Sequence, residues 1–231
     1  MEPDRKPAER AHRPIRTYVI RGKITRAQLR AYQQLYPVYG LPFAREKLDF
    51  EKVFGRKAPV ILEIGFGMGD ATMEIAAQHP QMDYLAVEVY KPGVGSLLRK
   101  IQNKQLTNVR IIHHDAIEVL EHMIEKGSLA GVHIFFPDPW PKKRHHKRRL
   151  IQPRFIQLVT DKLSPGGYIH ICTDWQDYAE HILSVLQQEP RLQNSARGFA
   201  PRPAWRPLTK YEQHGLRKDH PVREVHFVRT G

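Results

Sequence analysis

Within its 231 residues the chain has a single cysteine, Cys172. That excludes an internal disulfide and any zinc site built on several cysteines, and it fits a reducing compartment. Nowhere do about 18 apolar residues follow one another, so no membrane-spanning helix is expected. The first stretch, MEPDRKPAERAHRP, has no apolar core and lacks the layout of a secretory signal, so a cytoplasmic location is the simplest expectation. Internal repeats and low-complexity tracts are missing, which excludes solenoid architectures. Acid is scarce: 24 Asp plus Glu face 37 Lys plus Arg, a net charge of +13 that makes a polyanionic partner worth considering.

The charge is unevenly placed. Residues 1–57 hold 14 basic and 6 acidic side chains, residues 58–141 hold 6 and 10, and residues 142–231 hold 17 and 8. Two positive surfaces thus flank an acidic middle, suited to a ligand that is not an anion. With 41% hydrophobic residues the chain can bury the core of one α/β domain. The expected division is a basic, partly disordered extension with one helix over 1–57 and the main domain over 58–231.

Residues 1–14 are charged and poor in apolar side chains, as disordered segments are. TRAQLRAYQQLYP predicts a short amphipathic helix opened by Thr25 and Gln28 at capping-box spacing and ended by the breaker-rich YPVYGLPF. From residue 59 the strands VILEIG, YLAVEVY, VRIIHHD, VHIFF and YIHICTD alternate with helical segments. The helices are DATMEIAAQHP, residues 92–105, 116–124 and 153–162, and WQDYAEHILSVLQQ. This rhythm predicts a mostly parallel sheet with helices on both faces, completed by REVHFV as an antiparallel edge strand. The stretch RLQNSARGFAPRPAWRPLTKYEQHGLRKDHP before it is too long for a connector, and such loops are functional or disordered.

Parallel α/β sheets bind ligands beyond the carboxyl ends of their strands, so the residues that follow each strand matter most. After the first comes EIGFGMGD, with Gly65, Gly67 and Gly69. A dinucleotide fingerprint would place its third glycine at 70, where Asp70 stands. A pyrophosphate there would also meet the carboxylates of Glu63 and Asp70. S-adenosylmethionine, with its cationic sulfonium and amino group, suits acid beside glycine. Glu88 ends the second strand about 20 residues on, where an acid can accept from ribose hydroxyls. Asp115 ends the third, where it can accept from an adenine amino group. Alternatively, Glu88 or Asp115 caps the helix that follows and Glu63 is an ordinary acid at a strand end.

The fourth strand runs into HIFFPDPWPKKRHHKRR, where one acid, Asp138, stands among Pro137, Pro139 and Pro141. The prolines should stiffen a shelf, biasing Phe136, Asp138 and Trp140 to extended geometry, with Trp140 offering a flat surface to a base. The cations that follow can hold phosphates, or they can be solvated surface. His113, His114, His145 and His146 lack acidic or cysteine partners at ligand spacing, so no metal is expected.

FPDPWPKKRHHKRRL, EIGFGMGD, TDWQDYAEHIL and LTKYEQHG together resemble the bacterial tRNA (guanine-N7-)-methyltransferases. RTYVIRGKITRAQ resembles their amino-terminal segment, so the likeness spans roughly residues 15–230. The resemblance implies a Rossmann-like class I S-adenosylmethionine-dependent methyltransferase fold over residues 58–231; the sequence leaves open whether the enzyme works as a monomer or homodimer. Its implied reaction moves a methyl group to N7 of a guanine in the variable-loop region of tRNA. Carried over by position, Glu63, Gly65, Gly67, Gly69, Glu88, Asp115 and Asp138 line the donor site, and Asp138 is also catalytic. Lys142, Asp174, Thr209, Lys210, Tyr211 and Glu212 match substrate-binding positions. Arg144, His145, His146, Lys147, Arg148 and Arg149 match the RNA-contacting run. Read without the resemblance, Asp174 could cap a helix, and Lys210 and Glu212 could form a surface pair. Asp70 departs from the family's frequent Glu, His146 from its common Asn, and HPVREVHF matches less well. The rival readings are a methyltransferase acting on another RNA atom and an RNA-binding protein that takes no donor.

Overall fold

The computed structural model describes residues 22–209, 212–213 and 221–231, so the expectation of disorder over 1–14 lies outside the described residues. Seven strands form one sheet: β1 (Val60–Ile64), β2 (Asp83–Val87), β3 (Val109–Ile112), β4 (Leu129–Phe135), β5 (Leu163–Thr173), β6 (Leu192–Asn194) and β7 (Arg223–Arg229). Their order is β3-β2-β1-β4-β5-β7-β6. The first five pair in parallel, β7 runs antiparallel to β5, and β6 antiparallel to β7. The strand REVHFV was expected at the edge, but β6 lies outside it. Its three residues, LQN, carry no alternation from which to read a strand.

Strands β1 to β5 read as apolar runs because both faces of the sheet are covered. One face packs Leu62, Ile64, Val87, Ile134 and Ile171 beneath α5 (Ala116–His122), α6 (Pro153–Lys162) and α7 (Gln176–Gln187). The other packs Ile61, Ala86 and Ile111 beneath α3 (Asp70–Gln78) and α4 (Lys91–Lys104). Among the described residues no helix is long and apolar enough to cross a membrane.

Helix α1 (Arg26–Tyr39) opens with the expected capping box: Gln28 N donates to Thr25 Oγ1 at 3.2 Å and Thr25 N to Gln28 Oε1 at 2.9 Å. It lies against α4 so closely that a Cβ on Gly95 would come within 2.4 Å of the Gln28 carbonyl. Contrary to expectation, the helix runs through Pro37 and ends at Gly40. Proline in the last turn forfeits one backbone bond. The end is pinned instead by Leu41 N on Ile111 O at 2.8 Å and Tyr36 Oη on Leu41 O at 3.0 Å. A one-turn helix, α2 (Phe50–Phe54), capped by Asp49, was not foreseen.

Strand order reverses at β1, which has β2 on one side and β4 on the other. The loops after β1 and β4 therefore diverge over a crevice, where ligands of such sheets sit. Glu63 pairs with His133 across β1 and β4, and Phe135 with Cys172 across β4 and β5. This register brings the glycine turn, the proline shelf and the Asp174 corner to one edge.

Candidate active site

At that edge lies a cavity of about 240 Å³, walled by Gly65, Gly67, Glu88, Asp115, Asp138 and Trp140 among others. Sequence reading named all but Trp140 as donor-site residues. Glu63 and Gly69 do not reach the wall. Gly69 starts α3 at φ 73°, and a Cβ there would strike Leu97 at 2.7 Å, so it serves packing. Gly65 and Gly67, at φ 76° and 57°, are different: a Cβ on either would meet nothing within 4 Å. Their backbone is thus open to a ligand.

Glu88 holds this turn in place. Its carboxylate accepts from Gly67 N at 2.8 Å, Val89 N at 2.7 Å and Tyr90 N at 3.0 Å. Burial pushes its pKa up, against the pull of those three bonds and of His113. Asp115 caps α5, accepting from Ile117 N at 2.9 Å and Glu118 N at 3.3 Å, while lining the cavity. The capping alternative and the wall position coincide in it.

Glu63 lies below the wall, 2% exposed, and its Oε2 has no hydrogen-bond partner. Burial pushes its carboxyl up to about 7; the nearby Thr72 hydroxyl opposes this and the charge of Glu88 adds to it. The Thr72 contact is electrostatic, since neither oxygen makes a hydrogen bond of proper geometry. An orphaned buried acceptor, two open glycine positions and three wall carboxylates fit a ligand with a cationic centre, hydroxyls and an amino group.

The shelf departs from its expected shape. Phe136 and Trp140 precede prolines yet take φ 51° and 45° rather than extended geometry. Each such non-glycine residue costs on the order of 1–3 kcal/mol and persists only where its surroundings impose it. Phe136 is fixed by its N–H on Cys172 O at 2.8 Å, and Trp140 by burial to 5% exposure. A 3₁₀ helix, Lys143–Arg148, folds back over the indole, with Arg148 5.0 Å from its ring and His145 edge-on at 5.8 Å. Trp140 is therefore not the open platform expected of it. Among the described residues the large aromatic exposed along this edge is Trp175, which directly follows Asp174.

The basic run divides. Lys142, Lys143, Arg144 and Lys147 are exposed and Arg148 is half-buried. Arg149 was expected to contact RNA, but its side chain is 1% exposed and faces inward. It donates to Pro139 O at 2.9 Å and to Asp177, lies over the Tyr178 ring at 4.8 Å, and approaches His146 Nε2 at 3.0 Å. Asp177 gives the reason, since α7 presents a carboxylate where the basic run ends.

The N-cap position of α7 is Trp175, whose side chain makes no cap bond, and Asp174 directly precedes it. Thr209 Oγ1 accepts from Glu212 N at 3.2 Å. For Glu212, matched by resemblance to a substrate-binding position, the surface-pair alternative fails: it is buried, its two oxygens each 2.7 Å from a guanidinium nitrogen of Arg206. Lys210 and Tyr211 lie outside the described residues. Arg206 was missed, because WRP belongs to no motif and a glutamate six residues on signals nothing by itself. Among the described residues no group of three or more His, Cys, Asp or Glu could hold a metal ion.

A family model described as "Putative methyltransferase" matches residues 57–225. The 16S rRNA methyltransferase KamB has a similar fold, with TM-score 0.57 at 15% identity over 80% of this chain and 95% of that one. So does a SAM-dependent O-methyltransferase from Thermotoga maritima, with TM-score 0.50 at 17% identity over 76% and 60%. At those identities the likeness shows the fold alone, that of the class I methyltransferases. Sequence goes further. The tRNA (guanine-N(7)-)-methyltransferase of Nitrosomonas europaea is 58% identical over 95% of this chain and 99% of its own length. That of Nitrosospira multiformis is 58% identical over 94% and 95%. With identity at that level running nearly end to end, the chain belongs to the tRNA (guanine-N(7)-)-methyltransferase family.

Proposed function

We propose that this chain transfers the methyl group of S-adenosylmethionine to N7 of a guanine in the variable-loop region of tRNA. The observation that carries this reading is one cavity in which open glycine backbone meets the carboxyl groups of Glu88, Asp115 and Asp138, with the basic 3₁₀ helix beginning five residues past the last of them. When bound, the donor supplies an electrophilic methyl on a cationic sulfonium. Glu88, with one lone-pair site beyond the three its backbone donors use, would accept from a ribose hydroxyl. Asp115 accepts from the adenine amino group, Gly65 and Gly67 admit close approach, and Glu63 adds negative field from below.

Guanine N7 offers an in-plane lone pair and carries no proton, so no general base is needed. Methyl transfer moves positive charge onto the purine, and Asp138 stabilises it as it develops. Orientation supplies the rest. The base must leave its stack to reach the cavity, and Trp175 presents an exposed aromatic face on that edge. Lys142, Lys143, Arg144, Lys147 and Arg148 hold the phosphates around it. Arg149 instead ties the shelf to α7. In the same reading residues 58–231 are the transferase domain, residues 1–57 a basic extension, and the enzyme works in the cytoplasm.

Incubation of unmodified tRNA with protein and donor, followed by nucleoside analysis, tests the proposal. It requires 7-methylguanosine; another methylated nucleoside, or none, removes it. The division of the basic run gives a sharper expectation. Lys147→Ala and Arg148→Ala together should flatten the plot of log affinity against log salt, by about 0.7–0.9 for each phosphate no longer neutralised. Arg149→Ala should leave that slope unchanged yet destabilise the fold by roughly 2 kcal/mol, because it removes a buried guanidinium together with its bonds to Pro139 O and Asp177. Salt-dependent filter binding and thermal melts of both variants decide it, and a changed slope in Arg149→Ala would return that residue to the RNA surface.

A further inference from the structure

Among the described residues Arg206 is the bulkiest fully buried side chain, at 1% exposure. Its guanidinium is shared between two acids. Nη1 and Nη2 grip Glu212 at 2.7 Å each, and Nε and Nη2 reach Glu224 Oε1 at 2.9 and 2.5 Å. The other oxygen of Glu224 meets His170 Nε2 at 2.7 Å. Glu224 stands on β7 and His170 on β5, so this part of the cluster is bolted to the sheet. The preceding residue, Trp205, stacks on His133 of β4 at 4.9 Å and meets His170 edge-on at 5.2 Å.

Two other contacts reach beyond the sheet, one of them to the cavity wall. The Arg206 guanidinium lies 5.9 Å from the ring of Phe136, the residue at φ 51° that opens the proline shelf two positions before Asp138. Glu212, for its part, donates its N–H to Thr209 Oγ1 at 3.2 Å. One planar cation thus touches the sheet, the shelf and Glu212 together. A buried ion cluster of this kind stabilises a fold little better than packed apolar side chains of the same volume. What its fixed fork of donors imposes is geometry.

We propose that Arg206 is a positioning residue for methyl transfer, holding Glu212, with Thr209 hydrogen-bonded to it, and the Phe136–Asp138 shelf in one arrangement so that a base placed between Thr209 and the shelf meets both. This rests on the role given to Asp138 under the proposed function and on the substrate-binding position that the family resemblance implies for Thr209. Arg206 itself touches neither donor nor base. A lysine would keep the charge but not the two-acid fork, so Arg206→Lys should loosen the arrangement without emptying the site of charge.

The test compares wild type, Arg206→Lys and Arg206→Met in three measurements: S-adenosylhomocysteine affinity by calorimetry, tRNA affinity by filter binding, and single-turnover methylation. Misplacing reacting groups by about 1 Å can slow chemistry on the order of 100-fold. Arg206→Lys is expected to bind S-adenosylhomocysteine and tRNA within about threefold of wild type, yet to methylate at least tenfold more slowly. Arg206→Met should be slower still. Wild-type turnover in Arg206→Lys overturns the proposal. So does loss of the cooperative melt or of S-adenosylhomocysteine binding in Arg206→Lys, which would assign Arg206 to the fold alone. If wild type itself makes no 7-methylguanosine, the functional reading falls and this inference with it; if wild type is active and only the variant result disagrees, this inference falls alone.

Discussion

Asp138→Ala is expected to lower the rate of methyl transfer by about 100- to 1000-fold, the usual loss when a group aimed at developing charge is removed. Between Phe136 and Arg149 it is the sole acid, so no neighbour on the shelf can take its place. Its position is imposed twice, by the β4–β5 register that ends at Phe135 and Cys172 and by the Phe136 N–H on Cys172 O. The phosphates are held elsewhere, so tRNA affinity should stay within a few fold. Asp138→Asn keeps the shape and loses the charge, and should be nearly as slow. Single-turnover methylation paired with filter binding reads both quantities. An Asp138→Asn rate within tenfold of wild type would show that charge at this position does not drive the step.

The apoprotein should lose stability from Glu63 as pH rises. In an unfolded chain this carboxyl titrates near 4.5; burial raises it to about 7 in the fold. Between those values the folded state holds a proton that the unfolded state has released. Stability from Glu63 is therefore complete below about 4.5 and falls away as pH climbs toward 7. The separation corresponds to roughly 3 kcal/mol. Glu63→Gln is neutral at every pH and escapes the penalty, while Glu88 and the remaining acids titrate alike in both proteins. The melting temperature of Glu63→Gln relative to wild type should thus rise by about 6–12 °C between pH 4.5 and 8. Calorimetric melts across that range check it, and a difference that does not change with pH would mean Glu63 is ionised in the apoprotein throughout. Donor affinity should move the other way, because a bound cation favours the ionised acid that glutamine cannot supply.

Much of this architecture can be read from residues alone, for a local reason. Strands β1 to β5 are covered on both faces, so each is a short apolar run that needs no knowledge of its neighbours. Once the sheet is parallel, topology sends every residue after a strand to the same edge, and Gly65, Gly67, Glu88, Asp115 and Asp138 follow. What could not be read depends on partners far along the chain. Arg149 turns inward because Asp177 waits 28 residues on, and Glu212 is buried because Arg206 and Glu224 enclose it. A sequence displays the sign of such charges but not their pairing. Trp140 was misjudged for a related reason: a run of cations carries no apolar stripe from which to foresee a 3₁₀ helix closing over the indole. At Pro37 the general rule on helix breakers yielded to a tertiary tie, the Leu41 N–H on Ile111 O.

Acidic strand tips enclosing a cationic methyl donor are the centre of the proposed chemistry, and a crystal structure with S-adenosylhomocysteine tests that most directly. The account predicts the ribose against Glu88, the adenine toward Asp115, and the sulfur between the Gly65–Gly67 turn and Asp138. The ligand seated elsewhere, or seated there with its sulfur turned away from Asp138, would contradict it.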